Sequence, residues 1–331
     1  MSSSYVVPIT DYVFPTLEPE ATILSPLGVE LRPAQCKTVD EVYEHVQGAD
    51  ALLVCYAPVT ARVIEALRGC RIIARYGIGV DNVDLAAATA AGILVTNVPD
   101  YCVDEVSDHT MALLLALARK VALADRRVRA GTWSVPDLAP IHRLNGLTLG
   151  LLGLGKIPRA VVPKAQAFGL RVIACDPYLP PEQAASLGVR LVSLEELISQ
   201  SDVLSLHAPL TAETRELINA ATIARMKPGA LLINTARGAL VNIPDLAEAL
   251  KRGRLGGAAL DVLPVEPPPA NSPLLELENV ILTPHSAWSS VEAVTELQSK
   301  AADEVARALT GRSPRSPVNP EVLPRLEWLK P

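Results

Sequence analysis

Short apolar runs alternate with longer amphipathic stretches along most of the chain. Several runs, such as Thr148–Leu152 and Ala230–Asn234, are almost continuously apolar, which is typical of strands covered by helices on both faces. Alternation of strands and helices predicts parallel sheets joined by right-handed crossovers. The predicted strands are Tyr5–Ile9, Ala51–Cys55, Arg71–Arg75, Leu94–Asn97, Thr148–Leu152, Arg171–Cys175, Arg190–Val192, Val203–Leu206, Ala230–Asn234, Ala258–Asp261 and Val280–Leu282.

Two long helical patterns divide this series of strands into two α/β domains. Asp104–Lys120 leads from the first group of strands to the second, and Ser290–Leu309 follows the last strand. We therefore expect two domains, one of residues 1–101 plus 290–331 and one of residues 102–289. Both domains are expected to be Rossmann-like or flavodoxin-like, with an inter-domain cleft. The tail Arg312–Pro331 is predicted to run extended over the surface.

Composition narrows the class of protein. The 331 residues include 30 Lys+Arg and 36 Asp+Glu, a net charge of −6, which argues against nucleic acid and anionic membranes as partners. The five cysteines form no C-x-x-C pair, which favours a reducing compartment and no cysteine-based metal site. The apolar run Met111–Ala118 is far shorter than the ~20 residues of a membrane span. We expect a cytoplasmic protein without a metal.

A glycine-rich turn follows the predicted strand Thr148–Leu152 and opens a helical stretch. Its pattern is Gly153-x-Gly155-x-x-Pro158, and the next strand ends at Asp176. The first glycine permits a tight turn, and the second lets the backbone approach a pyrophosphate, which the amides of Lys156 and Ile157 would bind. Asp176 is placed to accept hydrogen bonds from a ribose 2′-hydroxyl. The pattern therefore predicts dinucleotide binding and favours NAD over NADP.

Two prolines depart from the usual pattern of this turn. Pro158 replaces the third glycine, which is tolerable because amides in the first turn of a helix have no intrahelical partner. Pro163 lies further inside the same predicted helix and is expected to kink it.

Three segments that follow later strands supply an arginine, a glutamate and a histidine. Arg237 follows Ala230–Asn234, Glu266 follows Ala258–Asp261, and His285 follows Val280–Leu282. Because ligands bind beyond the carboxyl ends of parallel strands, these side chains should face the cofactor. Arg237 can bind a carboxylate through two hydrogen bonds, and His285 can transfer a proton while Glu266 stabilises its imidazolium form. The set suits hydride transfer to a 2-keto acid.

The order of these segments resembles the D-isomer-specific 2-hydroxyacid dehydrogenase family. The resemblance implies catalytic roles for Arg237, Glu266 and His285, and binding of the substrate carboxylate by Gly77, Ile78 and Gly79. It also implies NAD as cofactor, with residues 102–289 as the nucleotide-binding domain, and a 2-hydroxy or 2-keto acid as substrate, with residues 1–101 plus 290–331 as the substrate-binding domain. A homodimer formed through the nucleotide domain is implied as well. The matching stretches are Arg75–Asp84, Leu152–Ile157, Asn234–Val241, Gly257–Asp261 and Thr283–His285. The NAD contacts implied are Gly153, Gly155, Lys156, Ile157, Asp176, Thr235 and Asp261, with Thr110 and Ala208 as weaker candidates.

Two residues bear on the branch of the family. Arg75 resembles an arginine of D-3-phosphoglycerate dehydrogenases and C-terminal-binding-protein corepressors, where it would bind a second anionic group; the alternative is an ion pair with Asp81. Trp288 resembles a tryptophan of the corepressors and would form a flat pocket wall, unless it only packs. Oxidation or reduction of a phosphorylated or phosphonate acid, and an NAD(H)-sensing corepressor-like module, therefore remain alternatives to a simple 2-hydroxyacid dehydrogenase.

Overall fold

The computed structural model describes residues 5–329, which fall into two compact units. Unit 1 contains the chain up to Tyr101 and from Ser290 onward, and unit 2 is Cys102–Ser289. No helix among the described residues is long and apolar enough to cross a membrane. The strands are β1 (Tyr5–Ile9), β2 (Val29–Pro33), β3 (Leu52–Val54), β4 (Ile72–Arg75), β5 (Leu94–Thr96), β6 (Thr148–Leu152), β7 (Arg171–Cys175), β8 (Arg190–Leu191), β9 (Val203–Leu206), β10 (Ala230–Asn234), β11 (Leu255–Leu260) and β12 (Val280–Leu282).

Helices cover the sheets of both units. Capping boxes begin some of them, as at Thr38, whose hydroxyl accepts from the amide of Glu41 while the Glu41 carboxylate accepts from the amide of Thr38. The helices are α1 (Glu18–Leu24), α2 (Val39–His45), α3 (Ala61–Ala66), α4 (Leu85–Ala90), α5 (Val103–Ala118), α6 (Val121–Arg129), α7 (Lys156–Ala167), α8 (Pro181–Ala185), α9 (Leu194–Gln200), α10 (Ala220–Arg225), α11 (Ile243–Lys251) and α12 (Val291–Leu309).

Unit 1 is built on a five-stranded parallel sheet in the order β2-β1-β3-β4-β5. Its core contains fully buried residues of successive strands, among them Leu52, Val54, Ile73 and Val95. Helix α12, at the end of the chain, packs against α1 and β4. The carboxyl ends of β3 and β4 carry the loops that begin at Cys55 and Tyr76.

Two features of unit 1 differ from the sequence prediction. Strand β2 was not predicted, because Val29–Pro33 is an edge strand with no fully buried residue and a terminal proline. The tail prediction was wrong. Instead of running extended over the surface, the tail forms a 3-10 helix, Pro320–Arg325, and buries Val322 completely. Asn319 fixes it by donating to the carbonyl of Ile93 at 3.0 Å and accepting from the amide of Val95 at 2.8 Å.

Unit 2 contains a seven-stranded parallel sheet in the order β12-β11-β10-β9-β6-β7-β8. Alternate residues supply a core on each face: Leu232 and Leu260 belong to one buried cluster, Ile233 and Ala259 to the other. The chain order of the strands reverses between β6 and β9, where a crevice for ligands forms in sheets of this kind. The two parallel α/β sheets confirm the predicted fold class.

Candidate active site

The turn between β6 and α7 requires glycine at the first position of the glycine pattern, Gly153. Gly153 has a φ of +92°, and a Cβ there would lie 3.0 Å from the carbonyl oxygen of His207. Its amide donates to the carbonyl of Cys175 at 2.9 Å. A side chain at position 153 would therefore be strained and would press on the backbone at the end of β9.

Gly155, in contrast to Gly153, is not required by the conformation or the packing of the turn. Its φ is an ordinary −75°, and a Cβ built there would meet no atom within 4 Å. Helix α7 begins at Lys156 without a side-chain cap, so its first turn has backbone amides for an anion. Nothing in the protein's own packing requires glycine at position 155. The open space beside these amides fits the pyrophosphate of a dinucleotide.

The two prolines of this region are accommodated inside α7. Pro158 is buried in the first turn, where its lack of an N–H removes no intrahelical hydrogen bond. Pro163 lies inside the helix on its exposed side, and the helix continues to Ala167. The amides of Lys156 and Ile157 are retained, so Pro158 leaves the anion-binding turn intact.

Asp176 lies just beyond β7 and contacts the glycine turn directly. One carboxylate oxygen accepts from the amide of Leu154 at 2.9 Å, and the other accepts from the amide of Tyr178 at 3.0 Å. The carboxylate thus holds the turn in place and adds a negative charge beside it. A ribose 2′-hydroxyl is compatible with this charge, whereas a 2′-phosphate would be repelled.

The remaining cofactor candidates of unit 2 lie around the same strand ends. Buried Thr110 donates to the carbonyl of Val106 at 2.7 Å, so it accepts from Thr235, whose hydroxyl oxygen is 3.0 Å away. Ala208 is buried next to His207. Burial lowers the pKa of His207 to about 4, so this imidazole is neutral near pH 7.

His285 and Glu266, which follow β12 and β11, form a hydrogen-bonded pair. Nδ1 of His285 donates to Oε2 of Glu266 at 2.8 Å, and the amide of Leu263 donates to Oε1 at 2.8 Å. Burial alone would raise the pKa of Glu266, but these two hydrogen bonds and the positive charges of His285 and Arg237 together lower it. Glu266 is therefore ionised at neutral pH and can stabilise an imidazolium.

Arg237 is held close to this pair by the backbone after β10. Asn234 donates to the carbonyl of Arg237 at 2.9 Å, and the guanidinium donates to the carbonyl of Ala236 at 2.7 Å. At Gly238, a Cβ would lie 1.9 Å from the carbonyl carbon of Leu263 and 2.4 Å from the nitrogen of Pro264. Only glycine lets the arginine segment pack against the segment that leads to Glu266.

Asp261 supports the loop that carries His285. Its side chain is buried, and its two oxygens accept from the amides of Ser286 at 2.9 Å and Ala287 at 3.0 Å. Its carbonyl accepts from the amide of His285 at 2.9 Å, and His285 has a φ of +52°. Trp288 follows in the same loop and is partly buried.

Arg75 is the last residue of β4 in unit 1, and Gly77–Gly79 lie in the loop that follows it. Gly77 has a φ of +137°, and a Cβ there would overlap Nη1 of Arg75 at 1.5 Å, so the guanidinium lies over this glycine. The loop is fixed by Asn97, which donates to the carbonyl of Ile78 at 2.6 Å. Nε of Arg75 has no hydrogen-bond partner among residues 5–329.

Sequence reasoning missed three residues that position these loops. Asp11 accepts from the amides of Cys55, Tyr56 and Ala57, and buried Glu20 accepts from the hydroxyl of Tyr76 at 2.7 Å. His109 is hydrogen-bonded to Thr283. Asp11 follows an apolar strand, a signal that could have been noticed; Glu20 and His109 have no comparable pattern.

Within the described residues, no group of three or more His, Cys, Asp or Glu could hold a metal ion.

Unit 2 therefore combines a dinucleotide-binding turn at the switch point of a parallel sheet with an acid–base pair at neighbouring strand ends. These features define the class of dinucleotide-dependent oxidoreductases.

Comparison with known proteins assigns the family. A family model described as D-isomer specific 2-hydroxyacid dehydrogenase, NAD binding domain, matches residues 111–287. The D-3-phosphoglycerate dehydrogenase of Methanocaldococcus jannaschii is 42% identical over 96% of this chain, which spans 61% of that relative. The glyoxylate reductase of Korarchaeum cryptofilum is 41% identical over 85% of this chain and 86% of its own length. A solved D-lactate dehydrogenase of Aquifex aeolicus, complexed with NAD and lactic acid, gives a TM-score of 0.83 at 29% identity, covering 97% of this chain and 98% of that one.

The chain belongs to the D-isomer-specific 2-hydroxyacid dehydrogenase family. The predicted family and NAD as cofactor are thereby confirmed. The corepressor-like alternative is not favoured by these relatives, which are named as dehydrogenases and reductases.

Proposed function

We propose that the protein interconverts a D-2-hydroxy acid and its 2-keto acid with NAD(H). The observation that carries the proposal is the 2.8 Å hydrogen bond between His285 Nδ1 and Glu266, placed beside Arg237 at the carboxyl ends of β10 to β12. When bound, the nicotinamide supplies or accepts the hydride. The residues of the chain would bind the acid, orient it and move the proton.

His285 is the proposed acid–base residue. Because Nδ1 is engaged by Glu266, proton transfer to the carbonyl oxygen of the substrate would take place from Nε2. The ionised Glu266 favours the imidazolium that keto-acid reduction requires. In the oxidative direction, the neutral imidazole would accept the hydroxyl proton.

Arg237 is the proposed binding residue for the carboxylate and carbonyl of the substrate. Its guanidinium remains charged at any pH relevant to the enzyme and can form two parallel hydrogen bonds to a carboxylate. Gly238 supports this role, because it allows the arginine segment to pack directly on the Leu263–Pro264 backbone.

The proposed cofactor contacts are Gly153, Gly155, Lys156, Ile157, Asp176, Ala208, Thr235, Asp261 and Thr110. The open space beside Gly155 supports binding of the pyrophosphate at the amides of Lys156 and Ile157. The two amide contacts of Asp176 support preference for NAD, because they hold a carboxylate beside the turn.

Unit 1 is proposed to bind the substrate carboxylate through the amides of Gly77, Ile78 and Gly79. Nε of Arg75 has no hydrogen-bond partner within residues 5–329, and its guanidinium carbon lies 5.8 Å from the centre of the Tyr56 ring. A guanidinium held in this way favours an acid with a second anionic group, such as a phosphate or phosphonate. Trp288 is proposed to form an apolar wall of the substrate pocket.

The test is turnover of NADH with a panel of 2-keto acids, including phosphorylated and phosphonate members. We expect His285→Asn and Arg237→Lys to lower kcat/KM by about 10²–10⁴-fold, as loss of a proton donor or a bidentate contact does. His45→Asn, at a partly buried position of α2, and Arg215→Lys, at an exposed position, are the matched controls and should retain wild-type rates. If no acid in the panel is reduced, or if His285→Asn retains wild-type turnover, the proposed reaction is wrong.

Arg75→Gln separates the substrate classes. It should lower kcat/KM about 10- to 100-fold for keto acids that carry a second anionic group, because one charge-assisted contact is lost. For keto acids with an uncharged side group, kcat/KM should stay within about threefold of the wild-type value. An equal effect on both classes would contradict the proposed role of Arg75.

A homodimer through unit 2 is part of the proposal. Large apolar side chains are exposed there: Trp133 is 89% exposed and Val135 is 81% exposed, beside α6 with Val121 at 56%. The same unit has a cavity of about 280 Å³ lined in part by Leu117, Leu123 and Ile281. A second copy could cover such a surface, because monomers rarely expose large apolar patches.

Sedimentation velocity tests the dimer. Trp133→Asp should shift the wild-type dimer toward monomer, whereas Val291→Asp, at an equally exposed position of unit 1, should leave it unchanged. A monomeric wild type would contradict the proposal. We also propose a cytoplasmic location, which the five free cysteines support.

A further inference from the structure

A chain of hydrogen bonds connects α5 to the loop that carries His285. Nε2 of His109 lies 3.0 Å from the hydroxyl oxygen of Thr283, and that hydroxyl lies 2.6 Å from Oδ1 of Asp261. The carboxylate of Asp261 in turn accepts from the amides of Ser286 and Ala287, the two residues after His285. Nε2 of His109 also lies 3.6 Å from the same Oδ1, so His109 contributes to the support of the His285 loop through Thr283 and by its own proximity to Asp261.

The direction of each hydrogen bond follows from the groups involved. The carboxylate of Asp261 only accepts, so Thr283 uses its single hydroxyl proton toward Asp261. The hydroxyl oxygen must then accept from His109, which requires a proton on Nε2 of that imidazole. The network therefore fixes one tautomer of His109 when the ring is neutral.

The loop needs support because His285 has an unfavourable backbone conformation. Its φ of +52° lies in the left-handed region, which residues other than glycine rarely adopt. Contacts that over-determine the loop hold such a conformation. Asp261 supplies them with its carbonyl and both carboxylate oxygens, and Thr283 and His109 fix the orientation of that carboxylate.

We propose that His109 is a positioning residue for His285, acting through Thr283 and Asp261. His109 lies outside residues 111–287, the part matched by the family model, and the resemblance implies no role for it. The side chain of Asp261 is only 1% exposed, so protein groups rather than water orient its carboxylate, and the side chain of His109 is 25% exposed. The kinetic part of this inference rests on the proposed function.

The kinetic test compares variants that remove or retain the donor. His109→Leu and Thr283→Val should each lower kcat about tenfold, while the KM of the keto acid stays within about threefold, because the proton donor is misplaced but the groups proposed to bind the acid are unchanged. His109→Gln should recover most of kcat, since its amide nitrogen can donate to Thr283. Thr283→Ser should recover it as well.

A double variant tests whether the two residues act in one chain. If they do, His109→Leu with Thr283→Val is no slower than the slower single variant. If the fold-loss of kcat in the double variant equals the product of the two single losses, the two residues do not act in one chain. Wild-type kcat in folded His109→Leu protein, shown by an unchanged thermal midpoint, would overturn the positioning role.

A spectroscopic test does not depend on turnover. Nitrogen-15 spectra of protein labelled at its five histidines should show His109 with the proton on Nε2. Thr283→Val should shift the ring resonances of His285, assigned with His285→Asn, and leave those of His45, which lies on α2 of unit 1, unchanged. A proton on Nδ1 of neutral His109, or unshifted His285 resonances, would overturn the inference. If these spectra agree and no acid is reduced, only the proposed reaction fails.

Discussion

The two units use buried acids in the same way but present different chemistry at their strand ends. In unit 1, Asp11 accepts from the amides of Cys55, Tyr56 and Ala57 at 3.1, 2.6 and 3.2 Å. In unit 2, Asp261 accepts from two amides of the loop after β12. Each carboxylate holds a loop without forming an ion pair with an arginine or lysine among the described residues. The fold thus fixes loops by the same means in both units.

The difference lies in what the supported loops carry. The loops of unit 1 present the amides of Gly77–Gly79 and the permanently charged Arg75, none of which changes protonation near neutral pH. The loop of unit 2 presents His285, paired with an ionised glutamate. One unit is therefore suited to binding an anion and the other to moving a proton, although both are parallel α/β sheets.

The largest expected effect is that of Gly238→Ala in unit 2. A Cβ at this position would overlap the Leu263 and Pro264 backbone, so the arginine and glutamate segments must separate. We expect turnover to fall at least about 10²-fold, as misplacement by about 1 Å does, with a stability loss of about 3 kcal/mol.

Gly256→Ala is the matched control for this variant. Its Cβ would lie 2.5 Å from the carbonyl oxygen of Gly229, at the opposite end of the sheet from the site. It should lower the denaturation midpoint but retain turnover per folded molecule. Equal loss of turnover in both variants would show that Gly238 matters only for stability.

In unit 1, the largest effect is expected for Glu20→Leu, which removes a buried hydrogen-bond acceptor. Glu20 is completely buried and accepts from the hydroxyl of Tyr76 and from the amide group of Gln298. Leucine would leave both donors without this acceptor, and we expect a loss of about 3 kcal/mol in urea denaturation. Exposed Glu18→Leu, on the same helix, should change stability by less than about 0.5 kcal/mol. Similar values for the two variants would contradict the role of the buried cluster.

The pH dependence of stability should have opposite signs in the two units. Burial raises the pKa of Glu20 above 4.5, so its stabilising contribution is present below pH 4.5 and is lost as the pH rises through the folded value. Burial lowers the pKa of His207 from 6.5 to about 4, so its contribution is present above pH 6.5 and is lost as the pH falls toward 4.

Variants that do not titrate test these signs. Relative to wild type, Glu20→Gln should become more stable as the pH rises from about 4 to about 8, and His207→Gln should become more stable as the pH falls over the same range. For His207 we expect a change on the order of 2 kcal/mol in urea denaturation. If the difference in free energy of unfolding between a variant and wild type does not change with pH, the pKa shift assigned to that residue is contradicted.

Much of the fold and the order of site segments could be predicted because strand ends share an edge. Strands such as β10, Ala230–Asn234, are covered on both faces and therefore read as apolar runs. Their carboxyl ends lie together, so the positions of Arg237, Glu266 and His285 after three strands pointed to one site. By contrast, β2 has no fully buried residue, and its pattern resembles a loop.

The supporting residues could not be predicted for a different reason. Asp11 bonds to amides 44 to 46 residues away, and His109 bonds to Thr283 across 174 residues. Such contacts depend on the packed positions of separate elements, and no local periodicity or spacing reports them. The prediction for the tail was wrong for the same reason. Its prolines indicated an extended chain on the surface, but Asn319 and Val322 are buried in unit 1.

The smallest expected effect separates the two glycines of the turn after β6. Gly155 has an ordinary φ and open space beside it, so Gly155→Ser should leave stability unchanged or slightly higher, because serine is a good residue at a helix N-terminus. The same side chain would enter the space proposed for the pyrophosphate, and NADH should bind about tenfold more weakly in a fluorescence titration. Gly153→Ser should lower stability as well, since its φ is +92° and the His207 carbonyl lies 3.0 Å from the new Cβ. If Gly155→Ser binds NADH as wild type does, the pyrophosphate does not approach this glycine; if both variants lose stability equally, the protein's own packing, rather than a ligand, requires glycine at position 155.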